Sequence, residues 1–190
     1  MLTAALKEWS IVCDLLCEGR TAVILRKGGI REPGGAGVFA LAHRRFGLFP
    51  SWAHQRAERI KTPWSDRVVT QGEPPEVTMR AVAEATVIWQ VPSRAAVDAV
   101  DDLHCWTAPQ IDMRFAYKPD RPLYLVALRV ARLRDPRTIQ LDDTYTGCRS
   151  WVPLRPEDAI DDAGAEPVLE DMAFDRVLGR LNAAMGGKEQ

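Results

Sequence analysis

Gly19-Arg20-Thr21-Ala22-Val23-Ile24-Leu25-Arg26-Lys27-Gly28-Gly29 is the stretch on which the fold turns. Glycine enters the left-handed backbone region without steric cost, so Gly19 reads as the stop of a preceding helix. The run over 21–25 is short and apolar without alternation, the pattern of a strand covered on both faces. That strand delivers Arg26 and Lys27 to a loop over 28–37 that holds five glycines and Pro33. Two fixed cations at a strand end, beside pliable backbone, make a candidate anion site. Arginine offers a planar fork for phosphate or a base edge, and lysine a point charge. The competing reading pairs Arg26 with a carboxylate at the rim of the fold. The loop lacks the Gly-Lys-Ser/Thr ending of a P-loop, which argues against nucleoside triphosphate chemistry.

Upstream, Leu6, Trp9, Cys13 and Leu16 recur at three- and four-residue steps and predict an amphipathic helix over 3–18. Lys7, Glu8, Asp14 and Glu18 take its polar side. Downstream, 38–42 and 45–49 read as short strands. Pro50 and Ser51 then open a helical turn toward Arg59, with Ser51 as N-cap. Residues 77–91 are ambiguous. Met79 to Ala85 suits a helix, whereas Thr86-Val87-Ile88-Trp89 is β-branched and aromatic and predicts a strand ending near Val91. Ser93 caps a helix over 94–103, and Thr107 with Pro109 starts a second one running toward Phe115. The clearest strand is 123–133, expected to pair with the strand ending near Val91 and to break at Asp135-Pro136. Shorter strands are expected at 139–141 and 148–154, and a helix at 168–181.

The length of 190 residues suffices for one good core, so a single domain over 1–190 is expected. It carries a helical insertion at about 93–116 and a C-terminal helix at about 167–182. No apolar run approaches the roughly 18 residues of a membrane span, and no secretory leader is legible. A cytoplasmic protein without membrane association is therefore expected. The 4 cysteines suit reduced thiols there better than a disulfide framework. The net charge of -1 hides a gradient: residues 1–61 sum to +5, residues 62–134 to zero and residues 135–190 to -6. A basic front third suits a polyanion, or else attracts the acidic end of its own chain.

Three blocks, Ala5-Leu6-Lys7-Glu8-Trp9, Leu25-Arg26-Lys27-Gly28-Gly29-Ile30 and Gly147-Cys148-Arg149-Ser150-Trp151-Val152, resemble an uncharacterised bacterial family built on a domain of unknown function. Residues 46–55 and Tyr117-Lys118-Pro119 extend the resemblance to most of the chain. It implies no activity. The order of elements resembles the ASCH domains of the PUA-like β-barrel superfamily, which carry a Gly-x-Lys-x-x-Glu-x-Arg segment along the first strand. Gly19 and Arg26 fall at the glycine and arginine positions, while Thr21 replaces the lysine and Ile24 the glutamate. This resemblance implies a barrel that binds RNA or a modified base, without a reaction that needs the two replaced residues.

Other constellations carry chemistry of their own. His43 and His54 lie near the basic region, and an imidazole with a pKa of roughly 6.5 suits a general base. Neither has a nucleophile marked by local spacing. Arg114, Tyr117 and Lys118 follow the second inserted helix and combine cations with a ring, the chemistry of stacking a base while holding its phosphate. Cys13 and Cys17 stand four apart, unlike the tighter pairs of zinc sites, so no metal is expected. Trp9, Trp89 and Trp151 read as core; Trp52, Trp64 and Trp106 stand near loops, where a ring can stack a base. No acidic residue stands two before any lysine, which removes one metal-nuclease signature.

These observations predict an α+β fold, a small mostly antiparallel barrel of PUA-like or ASCH-like type flanked by helices. The leading function is a nucleic-acid-binding module, RNA ahead of DNA, with Arg26, Lys27, Arg31, Arg114, Tyr117 and Lys118 as ligand-binding residues. One alternative is a small hydrolase acting on a nucleoside or nucleic acid, with His54 or His43 as base. Another is a protein-interaction module without ligand. No cofactor is implied, and the sequence sets no oligomeric state.

Overall fold

The computed structural model describes residues 1–27, 41–147 and 149–187. The glycine-rich loop, residues 38–40 of an expected strand, Arg31 and Cys148 therefore lie outside the described residues. The fold is α+β: a mixed, mostly antiparallel sheet curled into a half-barrel, with four α-helices. Seven strands contribute: β1 (Ala4–Trp9), β2 (Val23–Lys27), β3 (Arg45–Ser51), β4 (Glu76–Gln90), β5 (Leu123–Gln140), β6 (Trp151–Pro153) and β7 (Glu166–Pro167). Their order is β2-β5-β4-β3-β1-β6, with β7 on the far end of β5. Among these pairs only β1 and β3 run parallel.

The sheet is organised around β4 and β5, which pair antiparallel along almost their whole lengths. As expected, 123–133 is an inner strand, with β4 on one side and β2 on the other. Leu125, Val126 and Ala127 are fully buried in one apolar core. Asp135-Pro136 does not end the strand. The register jumps there: Met79 faces Arg137, but Ala81 faces Arg132. Proline lacks an amide donor, and in a bulge none is required. A second irregularity between Ala85 and Val87 adds to the curl. The helical option over Met79–Ala85 is thus corrected to strand; two flanking strands outweigh local propensity.

The expected helix over 3–18 is also corrected. Its first part is β1, held between β3 and β6, and only Ser10–Cys17 forms helix α1. Gly19 does end the helix, at φ 71°, with its amide on Leu16 O and the Arg20 amide on Leu15 O. Ser51 is no helix cap. It closes β3, and Glu73 ties the following turn: its carboxylate accepts from Ser51 Oγ at 2.6 Å and from the Trp52 and Ala53 amides. Ser93 does cap, accepting from the Ala96 amide at the start of α2 (Arg94–Asp98), and α3 spans Ala108–Ala116. Helix α4 is Asp171–Met185, later than expected because Glu166–Pro167 and Val168 extend the sheet beside β5.

Two apolar cores result. The larger lies between the helices and the β2–β5–β4 face and includes Leu16, Ile24, Trp89, Val97, Trp106, Leu125 and Leu181. The smaller draws on β1, β3, β4, β5 and β6 and includes Ala5, Phe49, Met79, Leu133, Tyr145, Val152 and Ile160. Thr21 and Ile24 are buried; Thr21 Oγ1 donates to Leu103 O at 2.9 Å. Trp106, expected near a loop, is 1% exposed and meets Trp9 edge to face.

Candidate nucleic-acid interface

Strand β6 pairs with β1 only as far as Leu6, and the Lys7 amide then donates to Ser150 O. Beyond that point β1 has no partner on this side among the described residues. Its last residues, Glu8 and Trp9, face a cleft of about 610 Å³. The end of β2 enters with Arg26 and Lys27, the end of β3 with Phe49 and Ser51, and α3 with Arg114 and Tyr117. Tyr145, Thr146, Gly147, Arg149 and Ser150 line the remaining side.

Most cations in this cleft are held by the protein. Arg26 Nη2 donates to Lys7 O at 2.7 Å and lies 3.3 Å from Glu8 Oε2. The rim-carboxylate alternative for Arg26 is thus what the geometry displays. Lys27 Nζ donates to Arg114 O and Phe115 O at 2.8 and 3.1 Å, which caps the open carbonyls of α3. Burial, and then the Arg114 charge, lower the pKa of Lys27. Lys7 Nζ donates to Tyr145 O and Gly147 O and lies over the Phe49 ring. Burial pulls Arg114 below the usual arginine range, against the pull of Glu8, and its guanidinium lies over Trp106. The Arg149 side chain is exposed and makes no ion pair among the described residues.

The sequence candidates largely converge. Arg26, Lys27, Arg114, Tyr117 and His54 line the one cleft. Lys118 stands beside it, its ammonium 5.0 Å from the centre of the Tyr117 ring; a hydrogen bond from Lys118, and then its charge, lower the Tyr117 pKa. Tyr117 is 54% exposed. His43 does not line the cleft and packs edge-on to Trp151. Arg31 lies outside the described residues. His54 is exposed, with no side-chain hydrogen bond among the described residues, so nothing there orients it as a base. Both non-glycine residues with left-handed backbone among the described residues are here: His54 at φ 61° and Lys118 at φ 47°.

Sequence reasoning missed Lys7, Glu8, Glu73 and Arg149. Lys7 and Glu8 were placed on the polar side of a helix that is a strand; Arg149 lies in the acidic third of the chain. For metals, the thiols are poor donors: burial pushes Cys17 up to about 11 and Cys105 to about 12. Among the described residues no three His, Cys, Asp or Glu side chains gather to hold an ion. No described helix is long and apolar enough to cross a membrane.

The model of a family described as "Domain of unknown function (DUF1802)" matches residues 5–179. No protein of curated function matches the chain. Among solved structures, ASCH from Zymomonas mobilis is similar at 17% identity and a TM-score of 0.47, covering 82% of this chain and 89% of that one. A mutant of the same Zymomonas mobilis protein gives 16% identity and 0.46 over the same shares. A second mutant gives 17% and 0.45, covering 82% and 91%.

Proposed function

The chain belongs to the DUF1802 family, a domain of unknown function, and we propose that its cleft binds single-stranded nucleic acid, RNA ahead of DNA. One observation carries this reading: five cationic side chains line the cleft against two acidic ones, Glu8 and Glu73. Glu73 is already occupied by Ser51 and two amides. A field of that sign draws in a polyanion. Tyr117 supports the reading, because an exposed ring with a cation beside it stacks a base while the neighbour meets the phosphate. The left-handed backbone at His54 and Lys118 supports it further, since such strain gathers where a ligand is bound. The order of RNA before DNA follows the element order and the half-matched motif at residues 19–26.

The test is a titration of labelled single-stranded RNA and DNA of one sequence. Tyr117→Ala should weaken binding by about 1–3 kcal/mol, the worth of one stacked base, and leave thermal unfolding unchanged. No binding of either strand at low salt would sink the reading. RNA bound no tighter than DNA would remove the preference and leave the binding.

A further inference from the structure

The innermost charges of the cleft are not arranged for phosphate. Glu8 is 7% exposed; its Oε1 accepts from the Trp9 amide at 2.9 Å, and its Oε2 faces Arg26 at 3.3 Å. A phosphate lowered onto this pair meets a carboxylate and must draw Arg26 away from two partners. A group bearing N–H donors meets acceptors. An ionised carboxylate has about four acceptor positions, and the contacts to Trp9 and Arg26 occupy two. Beside it, Arg26 keeps a buried Nε–H without a partner among the described residues. The pair thus offers two acceptors next to a donor.

Among the four bases, guanine matches that order. Its Watson–Crick edge presents the N1–H and N2–H donors side by side, followed by the O6 acceptor. Adenine and cytosine set one amino group beside an unprotonated ring nitrogen, and uracil sets one imide between two carbonyls. A carboxylate facing any of those three meets a lone pair. Unstacked bases are read on such edges, with an aromatic face to stack on. Trp9, half-buried, lines the same cleft, and Arg149 stands exposed in its wall. A cleft of about 610 Å³ is large enough for one nucleotide.

We propose that the cleft takes one unstacked guanine, edge-first onto Glu8 and Arg26, with its phosphate turned toward Arg149. This rests on the nucleic-acid reading above and adds the base. The probes are an oligouridylate, the same strand with one central guanosine, the same strand with inosine at that place, and free guanosine monophosphate. Inosine lacks the N2 amino group and needs no change to the protein. The guanosine strand should bind about tenfold tighter than the oligouridylate, with inosine between them. Glu8→Gln should erase the differences among the three strands. Guanosine monophosphate binding as tightly as the guanosine strand would make the free nucleotide the source of the guanine. Equal affinity for all three strands would overturn the guanine site and leave the nucleic-acid reading standing. If no strand binds, that reading fails alone. Guanosine monophosphate then decides: binding lost in Glu8→Gln supports the guanine site, and no binding overturns it.

Discussion

Burial, and after it the Lys61 ammonium 3.4 Å from Nδ1, hold the imidazole of His104 down at about 4 against an ordinary 6.5. Nδ1 also accepts from the Trp106 amide at 3.2 Å, so the neutral ring is the one the fold uses. The unfolded chain takes a proton below pH 6.5 that the folded protein refuses until about 4. Stability from this group is therefore intact above pH 6.5 and is lost as the pH falls toward 4, by about 3 kcal/mol in all. His104→Gln keeps the acceptor and removes the titration. Denaturant unfolding at pH 7 and pH 4 should show a smaller loss in that variant; an equal loss would place the proton elsewhere. The sequence marked His43 and His54, whose loop positions drew attention, and passed over this residue. Burial is decided by packing between distant segments, and no local spacing announces it. Arg26 was legible as a cation at a strand end. Its pairing with Glu8 was not, because Glu8 had been placed on a helix.

Gly47 on β3 faces Ile160, with Ala5 of β1 and Met79 of β4 beside it. A Cβ there would overlap Ile160 Cδ1 and press on Ala5 and Met79. Gly47→Ala should cost about 1–3 kcal/mol, the usual toll of overpacking a filled core. Adding Ile160→Val should return part of it, so urea unfolding of the double variant should show less than the summed loss. Strict additivity would mean the strain is absorbed by other neighbours. A second element-level prediction concerns α3. Lys27→Met removes the cap from its last carbonyls, costs about 1 kcal/mol and speeds amide exchange over residues 113–117. Exchange unchanged there would show that α3 ends without Lys27's help. Helix α3 and the inner strand at 123–133 were legible because a proline in the first helical turn and an unbroken apolar run are local signals. The β1–α1 junction was not. Trp9 and Leu6 fit a helical period by accident, while the partners that make 4–9 a strand lie at 45–51 and 151–153.

Across the whole molecule, the basic cleft is assembled from every part of the chain. Lys7, Arg26 and Lys27 come from the basic first third, Arg114 from the neutral middle and Arg149 from the acidic last third. Charge summed along the sequence singles out the segment that holds three of these five cations and hides the other two, because folding mixes the segments. Salt should report that assembly. Each phosphate contact adds about 0.7 to the slope of log affinity against log salt for a single strand. Arg149→Ala should lower that slope by about 0.7, whereas Arg176→Ala, on α4 and outside the cleft lining, should leave it unchanged. Equal slopes for both variants would spread the contact over the general surface. The closing of the sheet also has a consequence in time. Strand β1 leaves the ribosome well before β6, which borders it and shapes the cleft wall and follows more than 140 residues later. At about 5–20 residues per second the interval is roughly 7–30 s. Through that interval the apolar side chains of β1 wait on the growing chain as a natural ligand for chaperones, and a ribosome stalled short of β6 releases a polypeptide with no finished cleft.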